Sequence, residues 1–87
     1  MQAPDTKPGA YFVTCVDPAR PSTYARLAGP FIDNHAAALA LVDRARAEAE
    51  RADPRAVWYA FGTCRVDLDH PQATRPGVLN AALGLAA

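Results

Sequence analysis

The stretch Ala56-Val57-Trp58-Tyr59-Ala60-Phe61-Gly62-Thr63-Cys64-Arg65-Val66 decides the fold. Its aromatic and β-branched content, with no charge before Arg65, predicts a strand over residues 56–66. Side chains of a strand alternate between two faces, so this one divides into two sets. Ala56, Trp58, Ala60, Gly62, Cys64 and Val66 carry no charge, whereas Val57, Tyr59, Phe61, Thr63 and Arg65 end in a cation. The uncharged set is expected against a helix and the other set on the outer side.

Upstream of this strand lies the helix that would cover it. Asp33 is the expected N-cap, because its carboxylate can accept from an unpaired N–H of the first turn. Pro54 sets the end, since proline disfavours the helical conformation at the residue before it. At helical periodicity Ala38, Leu41, Val42, Ala45, Ala49 and Ala52 share one side, with Leu39 on the flank. Asp43, Arg44, Glu48, Glu50 and Arg51 take the opposite side, where Arg44–Glu48 and Arg46–Glu50 have the spacing for ion pairs. The apolar side is mostly alanine, so the helix can approach a sheet closely while burying little area per residue.

Before the helix, Tyr11 to Val16 reads as one strand and Thr23 to Ala28 as a second, ended by Gly29-Pro30. The short connection DPARPS (residues 17–22) favours an antiparallel hairpin. The same alternation places Tyr11, Val13, Cys15, Ala25 and Leu27 inside, and Phe12, Thr14, Val16, Tyr24 and Arg26 outside. After residue 66 comes the polar loop Asp67 to Arg75, then Pro76 to Gly84, expected as a short C-terminal helix. The sequence thus predicts a small α+β fold, β-β-α-β, with an antiparallel sheet ordered 2-1-3 on one long helix. Residues 1–9 are expected as a loose lead-in and residues 10–87 as a single domain.

Composition bounds the function. Nine basic residues balance nine acidic ones, so the basic excess that drives nonspecific nucleic-acid binding is absent. No run of like charges suits an anionic membrane surface, and no apolar stretch approaches the roughly 20 residues needed to cross a bilayer. Met1 to Gly9 has no apolar stretch for export, which gives a cytoplasmic expectation. Cys15 and Cys64, the two cysteines, form neither a CxxC nor a zinc-knuckle spacing and read as small buried hydrophobes.

A solvated sheet face should alternate to polar residues, and the outer one does not. Phe12, Tyr24, Tyr59 and Phe61 lie there with Arg26 and Arg65. The C-terminal helix, a second copy of the chain or a protein partner would cover such a face. Aromatics and arginines together would also suit single-stranded nucleic acid, bases stacking while guanidiniums hold phosphates. Asp67, Asp69 and His70 are the nearest approach to a metal-ligand run, and Cys64 with His70 to a nucleophile and base. No motif calls for a cofactor or places catalytic residues, so the expectation is a noncatalytic interaction module.

Taken together, Leu27-Ala28-Gly29-Pro30-Phe31, the alanine-rich helix, Trp58-Tyr59-Ala60-Phe61-Gly62-Thr63 and Pro76-Gly77-Val78-Leu79-Asn80 resemble a family of small uncharacterised proteobacterial proteins. Such proteins are often carried on integrative and conjugative elements, and the resemblance runs from about Tyr11 to Leu85. It implies a bacterial source and a mobile genetic element, and it carries no assigned site. Arg26 to Phe31 followed by Ala36 to Ala52 is also similar to one half of a SPOR repeat, in which a strand ending Gly-Pro-Phe leads into an alanine-rich helix. That similarity implies binding to peptidoglycan glycan strands.

Overall fold

The computed structural model describes residues 3–85. Strand β1 (Ala10–Asp17) lies between β2 (Arg20–Ile32) and β3 (Ala60–Val66), both antiparallel to it, in the order β2-β1-β3. Helix α1 (His35–Ala52) packs on one side of this sheet. The α+β class, the strand order and the hairpin are those the sequence predicts.

The hairpin turn is tied by short-range hydrogen bonds. Asp17 accepts from the Ala19 N–H at 3.0 Å and from Arg20 Nε at 3.2 Å. Thr23 Oγ1 accepts from the Asp17 N–H at 2.9 Å and donates to the Arg20 carbonyl at 2.8 Å. β2 runs past Gly29-Pro30 to Ile32 rather than ending at Ala28. Asp33 then takes a left-handed conformation (φ 52°), which short polar residues tolerate best. Its carboxylate accepts from the Gly9 N–H at 2.9 Å, and its own N–H donates to the Gly9 carbonyl at 2.7 Å. With Asp33 occupied in joining β2 to the start of β1, the cap moves on one residue. Asn34 Oδ1 accepts from the Ala37 N–H at 3.1 Å.

The end of α1 differs from expectation in a way that matters. Proline lacks the N–H that a first helical position leaves unpaired anyway, so Pro54 opens a new 3₁₀ turn over Pro54–Trp58. Asp53 caps that turn, accepting from the Arg55 N–H at 3.0 Å. The strand expected from Ala56 therefore starts only at Ala60, and the period of two cannot be counted through the turn. Ala56 is buried on the helix side as expected, but Tyr59 and Phe61, each partly buried, pack on that side too. Ala60, Gly62, Cys64 and Val66 face the other way, and Trp58 projects into solvent. The face assignment of this strand is thus reversed. The alanine face of α1 explains the outcome: small residues on the helix leave room that Tyr59 and Phe61 fill. Even partial burial of the Tyr59 and Phe61 rings removes more apolar surface from water than burying Ala60 or Gly62 would.

Two clusters form the interior. Tyr11, Val13, Cys15, Leu27 and Ala28 meet Ala38, Ala45 and Ala49 of α1, with Leu41 and Val42 packed against them; Ala52 is exposed. On the other side Ala10, Phe12 and Ala73 are buried, flanked by Cys64 and Val66. Ala73 belongs to the loop after β3, a run of turns that folds over this part of the outer face. The expected C-terminal helix is instead a further run of turns over residues 78–84. Leu79, Leu83 and Leu85 from it join the helix-side cluster, and Arg44 Nη2 donates to the Leu83 carbonyl at 3.1 Å. Arg44 is therefore not paired with Glu48; the ion pairs on α1 are Arg46–Asp43 at 3.7 Å and Arg51–Glu48 at 3.0 Å.

Candidate functional site

The six residues expected on one aromatic face occupy both sides of the sheet. Register fixes this: Tyr11 pairs with Arg65, Val13 with Thr63 and Cys15 with Phe61, while Phe12 pairs with Cys64 and Thr14 with Gly62 and Arg26. Paired residues of antiparallel strands share a face. Phe12, Tyr24 and Arg26 are therefore on the outer side; Tyr59, Phe61 and Arg65 are with α1, a correction that follows from the 3₁₀ turn. There the three have partners of their own. The Arg46 guanidinium lies 5.2 Å from the Phe61 ring centre, Tyr59 donates to Asp53 at 3.4 Å, and Arg65 meets Asp67 at 2.7 Å and the Pro8 carbonyl at 3.0 Å.

On the outer side Phe12 is fully buried, beneath Ala73 and with the Arg26 guanidinium 4.9 Å from its ring centre. Tyr24 is 52% exposed. Desolvation, and next the Cys64 thiol beside it, push its phenol up to about 12, so it stays neutral. Between β2 and residues 75–78 opens a cavity of about 320 Å³ lined by Tyr24, Ala25, Arg26, Arg75, Pro76 and Val78. Both guanidiniums lean on one amide oxygen, Gln72 Oε1, Arg75 at 3.2 Å and Arg26 at 3.5 Å.

The two sheet edges contrast. An edge strand exposes unpaired backbone N–H and C=O groups, which invite pairing with another strand. Along β2 the C-terminal segment occupies that edge. The N–H groups of Gly77, Val78 and Leu79 donate to the carbonyls of Gly29, Arg26 and Leu27 at 3.1, 3.1 and 2.8 Å. The Asn80 side chain accepts from the Gly29 N–H at 3.0 Å and donates to the Gly29 carbonyl at 2.6 Å, as a neighbouring strand would. Among the described residues no such cover exists on β3, whose backbone bonds run to β1 alone. β3 also lacks the usual edge protection: its seven pairs with β1 run without a bulge, whereas β1–β2 is irregular at three points. Just ahead of this edge, Val57 and Trp58 are 59% and 79% exposed.

The residues considered for chemistry do not assemble. Asp67 is engaged by Arg65, and His70 Nδ1 accepts from the Gln72 N–H at 3.0 Å. Among the described residues no group of three or more His, Cys, Asp or Glu could hold a metal ion. Cys15 and Cys64 are free and lie on opposite faces; burial pushes the Cys15 thiol up, away from the reactive thiolate. His35 is structural: stacked on Tyr11 at 4.8 Å, it accepts from the Asp5 N–H at Nδ1 (2.7 Å), which leaves Nε2 to donate to Thr63 Oγ1 at 2.9 Å. Among the described residues no helix is long and apolar enough to cross a membrane.

Sequence reasoning missed Arg75, Val78 and Asn80, which reach β2 from about fifty residues away in the chain, and it placed Trp58 inside. For the first three only the fold makes the connection; for Trp58 the signal was Asp53-Pro54, a turn start as well as a helix end. The chain matches no protein-family model, no curated protein and no solved structure.

Proposed function

We propose that this protein is a noncatalytic interaction module whose partner is a second copy of itself, joined β3 to β3 so that two three-stranded sheets become one. The observation that carries this reading is the bare, unbulged β3 edge beside the exposed Val57 and Trp58. Strand addition supplies main-chain hydrogen bonds, and flanking side chains supply specificity. A two-fold antiparallel pairing centred on Thr63 would set Phe61 of one copy opposite Arg65 of the other and Ala60 opposite Val66. No like charges then oppose each other, and no proline interrupts the ladder. Exposed tryptophan is the residue type most often found at the energetic centre of interfaces.

Sedimentation from micromolar to millimolar concentration tests this. The wild type should pass from monomer to dimer, and Trp58→Ser should weaken the dimer about 30-fold, the equivalent of about 2 kcal/mol for an interface tryptophan. Trp58 is solvated in the monomer, so the substitution should leave the fold unchanged. A wild type that stays monomeric at millimolar concentration contradicts the reading.

A further inference from the structure

The cavity between β2 and residues 75–78 lies on another part of the molecule, and its chemistry is independent of how β3 associates. Eight arginines are present in the chain, and five of them form ion pairs with aspartate or glutamate. Arg44 is spent on the Leu83 carbonyl. Arg26 and Arg75 remain, and they are the two that converge on this cavity. Among the described residues neither has a carboxylate within ion-pairing distance, and they share the single neutral acceptor Gln72 Oε1. Two positive charges held about one amide oxygen repel each other, and most of their N–H donors are left free. Arg26 cannot swing away cheaply, because it is half-buried over the Phe12 ring. Such a site favours an anion, and the guanidinium fork matches a phosphate in particular.

The remaining walls narrow the ligand. Tyr24 presents a half-exposed neutral ring on one side, and Pro76 and Val78 an apolar rim on the other. An aromatic ring beside phosphate-binding arginines is how proteins take unstacked nucleobases. The volume is at the small end of ligand sites, enough for one nucleotide unit. We infer that this cavity binds a nucleoside phosphate, its phosphate between Arg26 and Arg75 and its base against Tyr24. The chemistry recognised is the same whether the unit is free or part of a single strand.

Titration of the isotope-labelled protein at low salt with AMP, adenosine, inorganic phosphate and a short oligothymidylate tests the inference. AMP should shift the Tyr24 ring and the Arg26 and Arg75 side-chain signals together, more strongly than adenosine or phosphate alone. Arg75→Gln should weaken AMP binding about tenfold, as loss of one charge-assisted contact does. Arg75 is exposed and its side chain hydrogen-bonds to Gln72 alone among the described residues, so this variant should fold normally; Tyr24→Leu, also at an exposed position, should weaken AMP and leave phosphate unchanged. An oligonucleotide bound more tightly than AMP, with the same loss in Arg75→Gln, supports the inference and identifies the strand as the source. Adenosine binding as well as AMP, affinity unchanged in Arg75→Gln, or no shift with any of the four overturns it.

Discussion

Replacing Asn80 by alanine should be among the most damaging single changes outside the two clusters of apolar side chains. Asn80 is buried, and its amide makes two hydrogen bonds to the backbone of Gly29, at 3.0 and 2.6 Å. In Asn80→Ala the Gly29 carbonyl keeps a bond from the Gly77 N–H at 3.1 Å, but the Gly29 N–H is left buried without a partner. A buried donor left unsatisfied costs about 1–3 kcal/mol, and the second bond adds about 1 kcal/mol. The expected loss is therefore about 2–4 kcal/mol. For a domain of this length that is a large part of the total stability, and it lowers Tm by roughly 10–20 °C. Asn80→Asp keeps the acceptor but sets a buried carboxylate oxygen where the amide donated to the Gly29 carbonyl, so it should cost at least as much as alanine at neutral pH. Thermal unfolding by circular dichroism, with urea titration for the free energies, reads both. A loss below about 0.5 kcal/mol, the range of ordinary surface substitutions, would refute the idea that this side chain closes the β2 edge.

Glycine substitutions should separate sharply. Gly29 has φ 126°, and a Cβ there would lie 2.7 Å from both Phe12 Cδ2 and the Tyr11 carbonyl, so Gly29→Ala should cost about 2–4 kcal/mol in urea unfolding. Gly62 has nothing within 4 Å of such a Cβ, and Gly62→Ala should stay within about 0.5 kcal/mol of wild type. The Arg55 guanidinium and N–H beside Asp53 hold its carboxyl below its ordinary value. The folded state therefore binds that proton less readily than the unfolded chain. The resulting stability is present above the ordinary carboxylate range and fades as pH falls through it. Asp53→Asn should flatten that part of the stability–pH curve; an unchanged slope argues against the cap. With Cys15 buried and its thiol pushed up, a disulfide reagent should modify Cys64 first in the native protein, as peptide mapping would show. Equal labelling of the two contradicts the placement of Cys15.

What the sequence made legible follows from how local each signal is. The alternation in Tyr11 to Val16 and Thr23 to Leu27 was enough for two strands with the correct inner faces, and it breaks only where a bulge puts Ala28 on the inner side beside Leu27. The alanine stripe of α1 read correctly because nothing interrupts its period. Asp53-Pro54 carried two meanings, a helix stop and the start of a 3₁₀ turn, and the second one moved the start of β3 from Ala56 to Ala60, with its two faces exchanged. That change moved Tyr59 and Phe61 from the supposed contact face to the edge of the helix-side cluster and brought Trp58 out. The C-terminal segment has helical spacing, but its residues 77–79 give their N–H groups to β2 carbonyls and the residues after them form a run of turns rather than a continuous helix. The Arg26–Arg75 cavity and the Asn80 clasp depend on contacts between residues 46 to 51 positions apart, which no local pattern encodes.

Amide hydrogen exchange of Ala60 to Val66, followed as protein concentration rises, tests the central claim most directly. Pairing of two β3 edges should slow the outward-facing amides of this strand as dimer accumulates, while exchange in α1 stays constant. Outward β3 amides that exchange at one fast rate at every concentration would contradict it.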